Sequence, residues 1–518
     1  MPARFETMIP RLALVAAAAF LPIMSAGQSP LPRFASAFLP ADHWAVDAAR
    51  RTHAQGLTPR ELGWPDGSLS RREAALMLRA AAADAQHRSP AHARAAAAVW
   101  SRFADEFPAT VAALGGADIA AAIRGEGAIT SGFESRRGDH VPGFADWIQN
   151  DGAGPVAVPS SSDIAGGVTW SATPVSFLAL DLSPRRSHGE WSASEGYAVL
   201  RLRDAGLWLG RRSLTYGPGE GGGIILNPTA AFTGGGVSVG ATRLPWILRH
   251  VGPVRFEGFL SEVDSSFAVK HPWVMVNHAS ASPHRRLLLG LTHGAIFAGS
   301  GRPAFNARNF IAMVTLGRAT KGSATEEFEN QLLSGEIRFL PPVGGLPLEL
   351  HLEWGTEDNQ GAWYQVPATQ FGARIVAMPG FPVLSMGVER TEFEPPCSDC
   401  GNQGFGSNWY RHYIYKAGWT EDGSLLGHPL GGNGVEWLAH AHADLADTRL
   451  RVDARFYRRE RDGFNIFAPD LAGRSVGWSL GGGWRLIRGV EAIGSIDAEE
   501  LPSGRRRVVG FVGGRALF

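Results

Sequence analysis

The stretch "TRLRVDARFY", residues 448–457, alternates without a break. Leu450, Val452, Ala454 and Phe456 fall on one side; Arg449, Arg451, Asp453, Arg455 and Tyr457 fall on the other. A period of two belongs to a β-strand, whose successive side chains point to opposite faces. The same pattern returns in "LPLELHLEW", where Leu346, Leu348, Leu350, Leu352 and Trp354 oppose Glu349, His351 and Glu353. A soluble sandwich also alternates, with its polar face in water and its apolar face on a second sheet. Here the polar face is dense in Arg, Asp and Glu, which suits a wet lumen laced with ion pairs. A transmembrane barrel puts apolar residues toward lipid and polar ones toward the lumen, in segments of about ten residues. The pattern holds from residue 126 to residue 518. At roughly 20 to 24 residues per strand and connection, this length predicts an all-β transmembrane barrel of about 16 to 18 antiparallel strands.

The chain before residue 126 reads differently. Arg4 and Arg11 flank "LALVAAAAFLPIM", too short to cross a bilayer, and Ser25 and Gly27 follow as small residues. That combination predicts an export signal over residues 1–27. Residues 28–125 carry helical spacing and form the expected α-helical periplasmic module. "WAVDAARRTHAQGL" stops at Gly56, Ser70 and Glu73 make a capping-box pattern, and Pro90 separates a further helical run. Leu76, Met77 and Leu78 are expected in the core of this module. The residues His43-Trp44-Ala45, Gly56-Leu57, Asp66-Gly67 and Leu69-Ser70-Arg71-Arg72-Glu73-Ala74 resemble one S-layer-homology unit, with Ser70 in place of the usual Thr. The resemblance implies a peptidoglycan or wall-polysaccharide contact.

Lys+Arg and Asp+Glu are both 49, and no basic tract stands out, which argues against a nucleic-acid partner. After the export segment no run reaches the length of a membrane helix. Cys397 and Cys400 are the only cysteines and sit among Pro, Gly and Asn, so a loop-stiffening disulfide is expected in an oxidising compartment. The chain closes on Phe518, and a terminal aromatic on a last strand resembles the insertion signal of bacterial outer-membrane barrels.

Several motifs invite a chemical reading. "TYGPGEGGGIILNP", residues 215–228, is glycine-rich, but it lacks the Lys and the following helix of a phosphate loop. Its Ile224-Ile225-Leu226 run reads as strand, with the glycines as a wide turn or bulge. "HAHAD", His440 to Asp444, imitates a metallohydrolase motif, yet Leu445 stands where the last His belongs. Trp437, Ala439, Ala441 and Ala443 continue an apolar face opposite, so a lumen-facing strand is expected and no metal. No GxSxG elbow occurs, and Glu353, Glu357 and Asp358 read as lumen or loop carboxylates, so no enzyme is expected. Aromatics beside polar groups suit sugar rings: Trp363 and Tyr364, then Trp409, Tyr410, His412 and Tyr413. Trp419, read as ending a strand, is assigned to an interfacial girdle.

"LGRRSLTYGPGEGGGIILNPTAAF" resembles the capsule-assembly Wzi family, and so, in order, do "LPWILRHVGPVRFEGFL", "RRLLLGLTHGAIFAGSGRP", "LPLELHLEWGTED" and "WYRHYIYKAGWTEDGSLLGHPLGGN". The resemblance spans roughly residues 195–445. It departs at Thr215-Tyr216, where the family often has two Trp, and at Asn227-Pro228, where it often has Ser-Asn. It implies an 18-stranded outer-membrane barrel with a periplasmic helical part, acting as a lectin for surface or capsular polysaccharide. Tyr216 and Glu220 then join the aromatic clusters as candidate sugar contacts, with His351, Glu353 and Arg451 as lumen alternatives. The partners expected are polysaccharide, outer-membrane lipid and, through the module, peptidoglycan; the chain is expected to be a monomer without a cofactor. A porin for small solutes or glycans and an envelope enzyme acting on lipid or glycan are the competing readings.

Overall fold

The computed structural model describes residues 34–115, 125–137, 161–187, 190–202, 205–227, 231–241, 250–263, 269–302, 329–357, 367–379, 383–393, 418–421, 424–445, 447–461 and 472–518, with isolated positions between them. The export segment, Trp363-Tyr364, Tyr413 and the Cys397–Cys400 pair lie outside these residues.

Four α-helices precede the strands among the described residues: α1 (Trp44–Ala54), α2 (Arg71–Ala85), α3 (Pro90–Glu106) and α4 (Pro108–Leu114). The capping box forms as expected: the Ser70 hydroxyl accepts from Glu73 N, and the Glu73 carboxylate accepts from Ser70 N. Ser89 caps α3 and Pro90 stands in its first turn, where a missing N–H costs nothing. The apolar stripes meet in a small core of Trp44, Met77, Leu78, Val99, Phe103 and Phe107, and Leu76 joins it.

Eighteen strands then close into one antiparallel barrel. They are β1 (Glu126–Arg137), β2 (Ser161–Val175), β3 (Leu178–Ser187), β4 (Glu190–Leu202), β5 (Ala205–Ser213), β6 (Ala231–Ala241), β7 (Val254–Glu262), β8 (Trp273–His284) and β9 (Leu287–Phe297). The second half comprises β10 (Glu329–Phe339), β11 (Leu348–Glu357), β12 (Ala368–Ile375), β13 (Leu384–Phe393), β14 (Gly434–Leu445), β15 (Leu450–Arg461), β16 (Gly473–Ile487), β17 (Val490–Glu500) and β18 (Arg506–Leu517). Each strand pairs with its neighbour in sequence, and β18 pairs back onto β1, from Ala128 opposite Leu517 to Arg137 opposite Val508. Closure leaves no unpaired edge, the condition for a sheet in hydrocarbon.

The two faces of the wall follow the period of two. On β15, Phe456 is exposed outward while Arg459 and Arg461 are buried; on β11, Leu350 and Leu352 face out and Glu349, His351 and Glu353 face in. Outward rings and branched chains such as Ile129, Ile164, Leu202 and Val512 make an apolar belt fit for lipid. Trp191 and Trp437 stand near the long-loop end of the belt, and Trp484 stands near the short-turn end, as interfacial rings do.

The longest connections, residues 138–160, 214–230, 298–328 and 394–433, fall at one end of the barrel, and the two-residue turns 176–177, 203–204, 285–286 and 488–489 fall at the other. The helical module docks on the short-turn end: Arg51 of α1 donates to Val383 O and Arg102 of α3 to Thr448 O, while Arg60, in the turn after α1, donates to Pro283 O and Ala35 N, before α1, to Ser176 O.

Candidate functional site

Among the described residues, three pieces of the chain fill the lumen. The first is the helical module, fixed to the inner wall by buried charge. Arg71 reaches Glu126 and Asp181, both at 3.2 Å, and also the Ser171 hydroxyl. Glu126 in turn accepts from the free N–H groups of Ala109 and Thr110 at the start of α4. Glu106 accepts from Arg515 on β18 at 2.7 Å and from Trp44 Nε1 at 2.7 Å, with His43 Nε2 at 3.1 Å. Burial pushes the Glu106 carboxyl up, but Arg515, His43 and Trp44 outweigh it and hold the group well below the ordinary carboxylate range. Asp47 meets Arg374 at 2.6 Å, and Arg51 pairs with Asp444. Asp66, in the turn before α2, binds His278 at 2.8 Å and Arg338 at 3.0 Å.

The second piece is the glycine-rich segment between β5 and β6. The expectation of a strand at Ile224-Ile225-Leu226 is not met. A single bridge joins Tyr216 and Leu226, and the segment turns into the lumen, because its backbone finds partners on the wall. Glu220 N and Gly221 N donate to the two oxygens of Glu389, at 2.7 and 3.2 Å. Ile224 N donates to Glu353 at 3.2 Å, Gln370 to Gly222 O at 2.9 Å, and Arg338 to Gly217 O at 3.0 Å. The Glu220 side chain is held by Arg374 at 2.5 Å and by Arg50 of α1 at 3.2 Å. Burial again opposes the charge, and the His442 and Arg374 partners prevail, keeping the carboxyl well below its usual range.

The third piece is the connection between β13 and β14. Tyr410 donates from its hydroxyl to Ile224 O, and His428 N donates back to that hydroxyl at 3.1 Å. Trp419 donates from Nε1 to Ile225 O at 2.7 Å, and Asn227 N reaches Leu426 O at 2.7 Å. Trp419, expected in the girdle, is therefore fully buried inside the barrel, because its loop folds back over the glycine-rich segment. Trp409 packs edge to face on Phe393 and on Tyr410, and Phe393 and Tyr410 meet at a tilt around the same point. Burial pushes the His428 imidazole down to about 4.

The candidate contacts named from sequence divide accordingly. Tyr216 is buried and stacks on His278, with ring centroids 5.0 Å apart. Trp409, Tyr410 and His412 are buried, and His412 Nδ1 lies 3.3 Å from the N–H groups of Ile414 and Tyr415. Glu220 sits at the centre of the plug. His351 and Glu353 line the inner wall, Glu353 held by Ser334 at 2.7 Å and His351 lying 3.8 Å from Glu389. Arg451 pairs with Asp453 at 2.7 Å. The structure thus brings Tyr216, Glu220, Trp409 and Tyr410 into one continuous plug, which Glu353 meets from the wall. Sequence reasoning missed Arg338, Gln370, Arg374 and Glu389, which hold that plug; each was one inward residue among many.

A closed eighteen-strand barrel with a lipid-facing belt, capped by helices and filled by its own loops, defines a plugged β-barrel of the outer-membrane type. The chain belongs to the capsule assembly protein Wzi family, whose model matches residues 86–501. A search of curated proteins by sequence finds no match. The solved structure of Wzi from Escherichia coli, described as an outer membrane protein involved in group 1 capsule assembly and a carbohydrate-binding β-barrel, has a similar fold. It is 19% identical, with a TM-score of 0.69, over 92% of this chain and 99% of that one. OpdQ of Pseudomonas aeruginosa is more distant, 9% identical at a TM-score of 0.43 over 77% of this chain and 99% of its own, and it has no bearing on function.

Proposed function

We propose that this chain is a non-enzymatic outer-membrane barrel that holds surface or capsular polysaccharide on its long-loop face. The observation that carries the reading is the filled lumen. Backbone and side chains of three segments meet across it, as Arg50, Glu220, Arg374 and Tyr410 do, so the barrel is built as a platform and not as a conduit. Family membership and the carbohydrate-binding description of Escherichia coli Wzi support the same class of ligand. Trp363 and Tyr364, which belong to the connection after β11, are the proposed sugar-stacking rings, and Cys397 and Cys400 a proposed bridge in the connection after β13. Short turns of such barrels face the periplasm, so the helical module is proposed to close the periplasmic end. Ser70, Arg71 and Arg72, which resemble a wall-binding element, are buried where the module docks, and this favours a capping role over a peptidoglycan tether.

Purified protein in detergent should retain capsular or surface polysaccharide of the host on a glycan array, and cells lacking the protein should shed that polysaccharide. No retention on the array, with unchanged surface polysaccharide in the deletion strain, would overturn the reading.

A further inference from the structure

His440 and His442 are two residues apart on β14 and so share the inward face. The glycine-rich segment delivers Glu220 to the same point. One ligand atom from each of the three residues lies within 4.8 Å of the others. His442 Nε2 and Glu220 Oε2 are 3.5 Å apart, too long for a good hydrogen bond. That separation is close to the roughly 3.3 Å edge of a tetrahedron with metal–ligand bonds of about 2.0 to 2.1 Å. His440 is buried, and neither of its ring nitrogens has a hydrogen-bond partner. An imidazole in that state carries a desolvation cost that a ligand would remove.

We propose that Glu220, His440 and His442 form a binding site for a late divalent transition metal such as Zn(II), which staples the glycine-rich plug to the barrel wall. Two nitrogens and one carboxylate oxygen are a ligand set that Zn(II) accepts, with a fourth position left for water. Asp453 Oδ1 lies 2.6 Å from His442 Nδ1, so it fixes the tautomer that points Nε2 at Glu220. Arg374 and Arg50 both engage Oε1 of Glu220, which leaves Oε2 for the metal. Their positive charge is offset by Asp47 on Arg374 and by Asp453. The motif HAHAD alone did not imply this site, because the third ligand comes from a segment more than two hundred residues earlier. Asp444, the motif's own carboxylate, is taken by Arg51 and Arg102.

Full-length protein in detergent, stripped with a chelator, should be titrated with Zn(II) and with Co(II). One equivalent of Zn(II) should bind and raise the unfolding temperature. Co(II) should give the intense visible absorption of a four-coordinate site. His440→Ala should weaken binding at least tenfold, and Asp453→Asn by about 10- to 100-fold. His271→Ala, at an exposed histidine paired with Glu262, should change nothing. Weak six-coordinate Co(II) absorption in the unaltered protein would overturn the proposal without any variant. Equal Zn(II) uptake by the unaltered protein and His440→Ala would overturn it as well.

Discussion

Glu106 is the point at which the helical module is tied to the closing strand. Its two oxygens serve Arg515 of β18, Trp44 Nε1 and His43, and His43 is also the residue that caps α1. Glu106→Ala strands all three. Among the described residues Arg515 then keeps Glu491, at 3.8 Å, and the Trp44 N–H loses its acceptor. Removing one partner of a buried ion pair costs about 3 to 5 kcal/mol, because the remaining charge stays desolvated. At about 1.4 kcal/mol per tenfold, amide protection in α1 and α3 should fall by a factor of roughly a hundred or more. Hydrogen exchange on detergent-solubilised protein reads this directly, with the amides of β10 to β13 as an internal reference that should not move. Glu106→Gln keeps the shape and one acceptor and should cost less than the alanine change. A fall of less than about tenfold for Glu106→Ala, under 1.4 kcal/mol or so, would mean that the apolar contacts of the module hold it in place and that the ion pairs do not.

Acid should loosen the same module. Burial opposes the charge of Glu73, but Arg255, Arg72 and the Ser70 bonds prevail and hold it at about 2, while Glu106 also lies well below its usual range. Both contributions are complete above the unfolded value near 4.3 and vanish as pH falls through the folded ones. His53, lowered by burial to about 4, adds a loss that begins below about pH 6.5. Amide protection of α1 and α2 should therefore decline gently below pH 6.5 or so and steeply below about pH 4.3; flat protection down to pH 3 would contradict it. In planar bilayers the intact barrel should conduct far less than an open porin of similar strand number, and deletion of residues 216–226 should raise the conductance; a steady porin-sized current from the intact protein would refute the closed lumen. Trp363→Ala and Tyr364→Ala should each weaken polysaccharide binding by about 1 to 3 kcal/mol, the worth of a stacked aromatic on a nucleobase. Unchanged retention in the double variant would move the site elsewhere on the long-loop face.

What the sequence made legible was orientation. Phe456 outward with Arg451 and Asp453 inward, or Leu350 and Leu352 outward with His351 and Glu353 inward, follow from the period of two alone. The capping box at Ser70 and Glu73 was equally local, and it forms as its spacing predicts. Trp419 was misplaced because periodicity reports a face, and a loop that reverses into the lumen changes what the faces meet. The plug was invisible for a related reason. Tyr410 bonds Ile224 across 186 residues, and Arg51 pairs with Asp444 across 393. Nothing near either partner marks the other, and an inward Arg or Glu looks the same in sequence whether it meets water, a strand neighbour or a returning loop.

The glycines of residues 217–223 acquire their reason from this geometry. A barrel of about 16 to 18 strands encloses more space than its own side chains fill, which is why porins of that size conduct. Closing such a lumen therefore needs extra chain. An apolar plug would take from Glu353, Glu389, Gln370 and Arg338 the backbone partners they have on residues 217–224, at a cost of roughly 1 to 3 kcal/mol for each buried group left unsatisfied. A plug whose backbone is itself the partner avoids that cost, provided the wall can come within hydrogen-bond reach of N–H and C=O groups. Side chains would prevent it: a Cβ on Gly219 would stand 2.2 Å from the Gln370 amide oxygen, and one on Gly223 would stand 1.8 Å from Tyr216 O. Gly217 and Gly222 also adopt positive φ, at 117° and 114°, which L-residues with a Cβ rarely do. The glycine-rich stretch is thus the part of the chain whose backbone lets it fill a wide, charged lumen, and on the proposed function the polysaccharide is met by the loops above it.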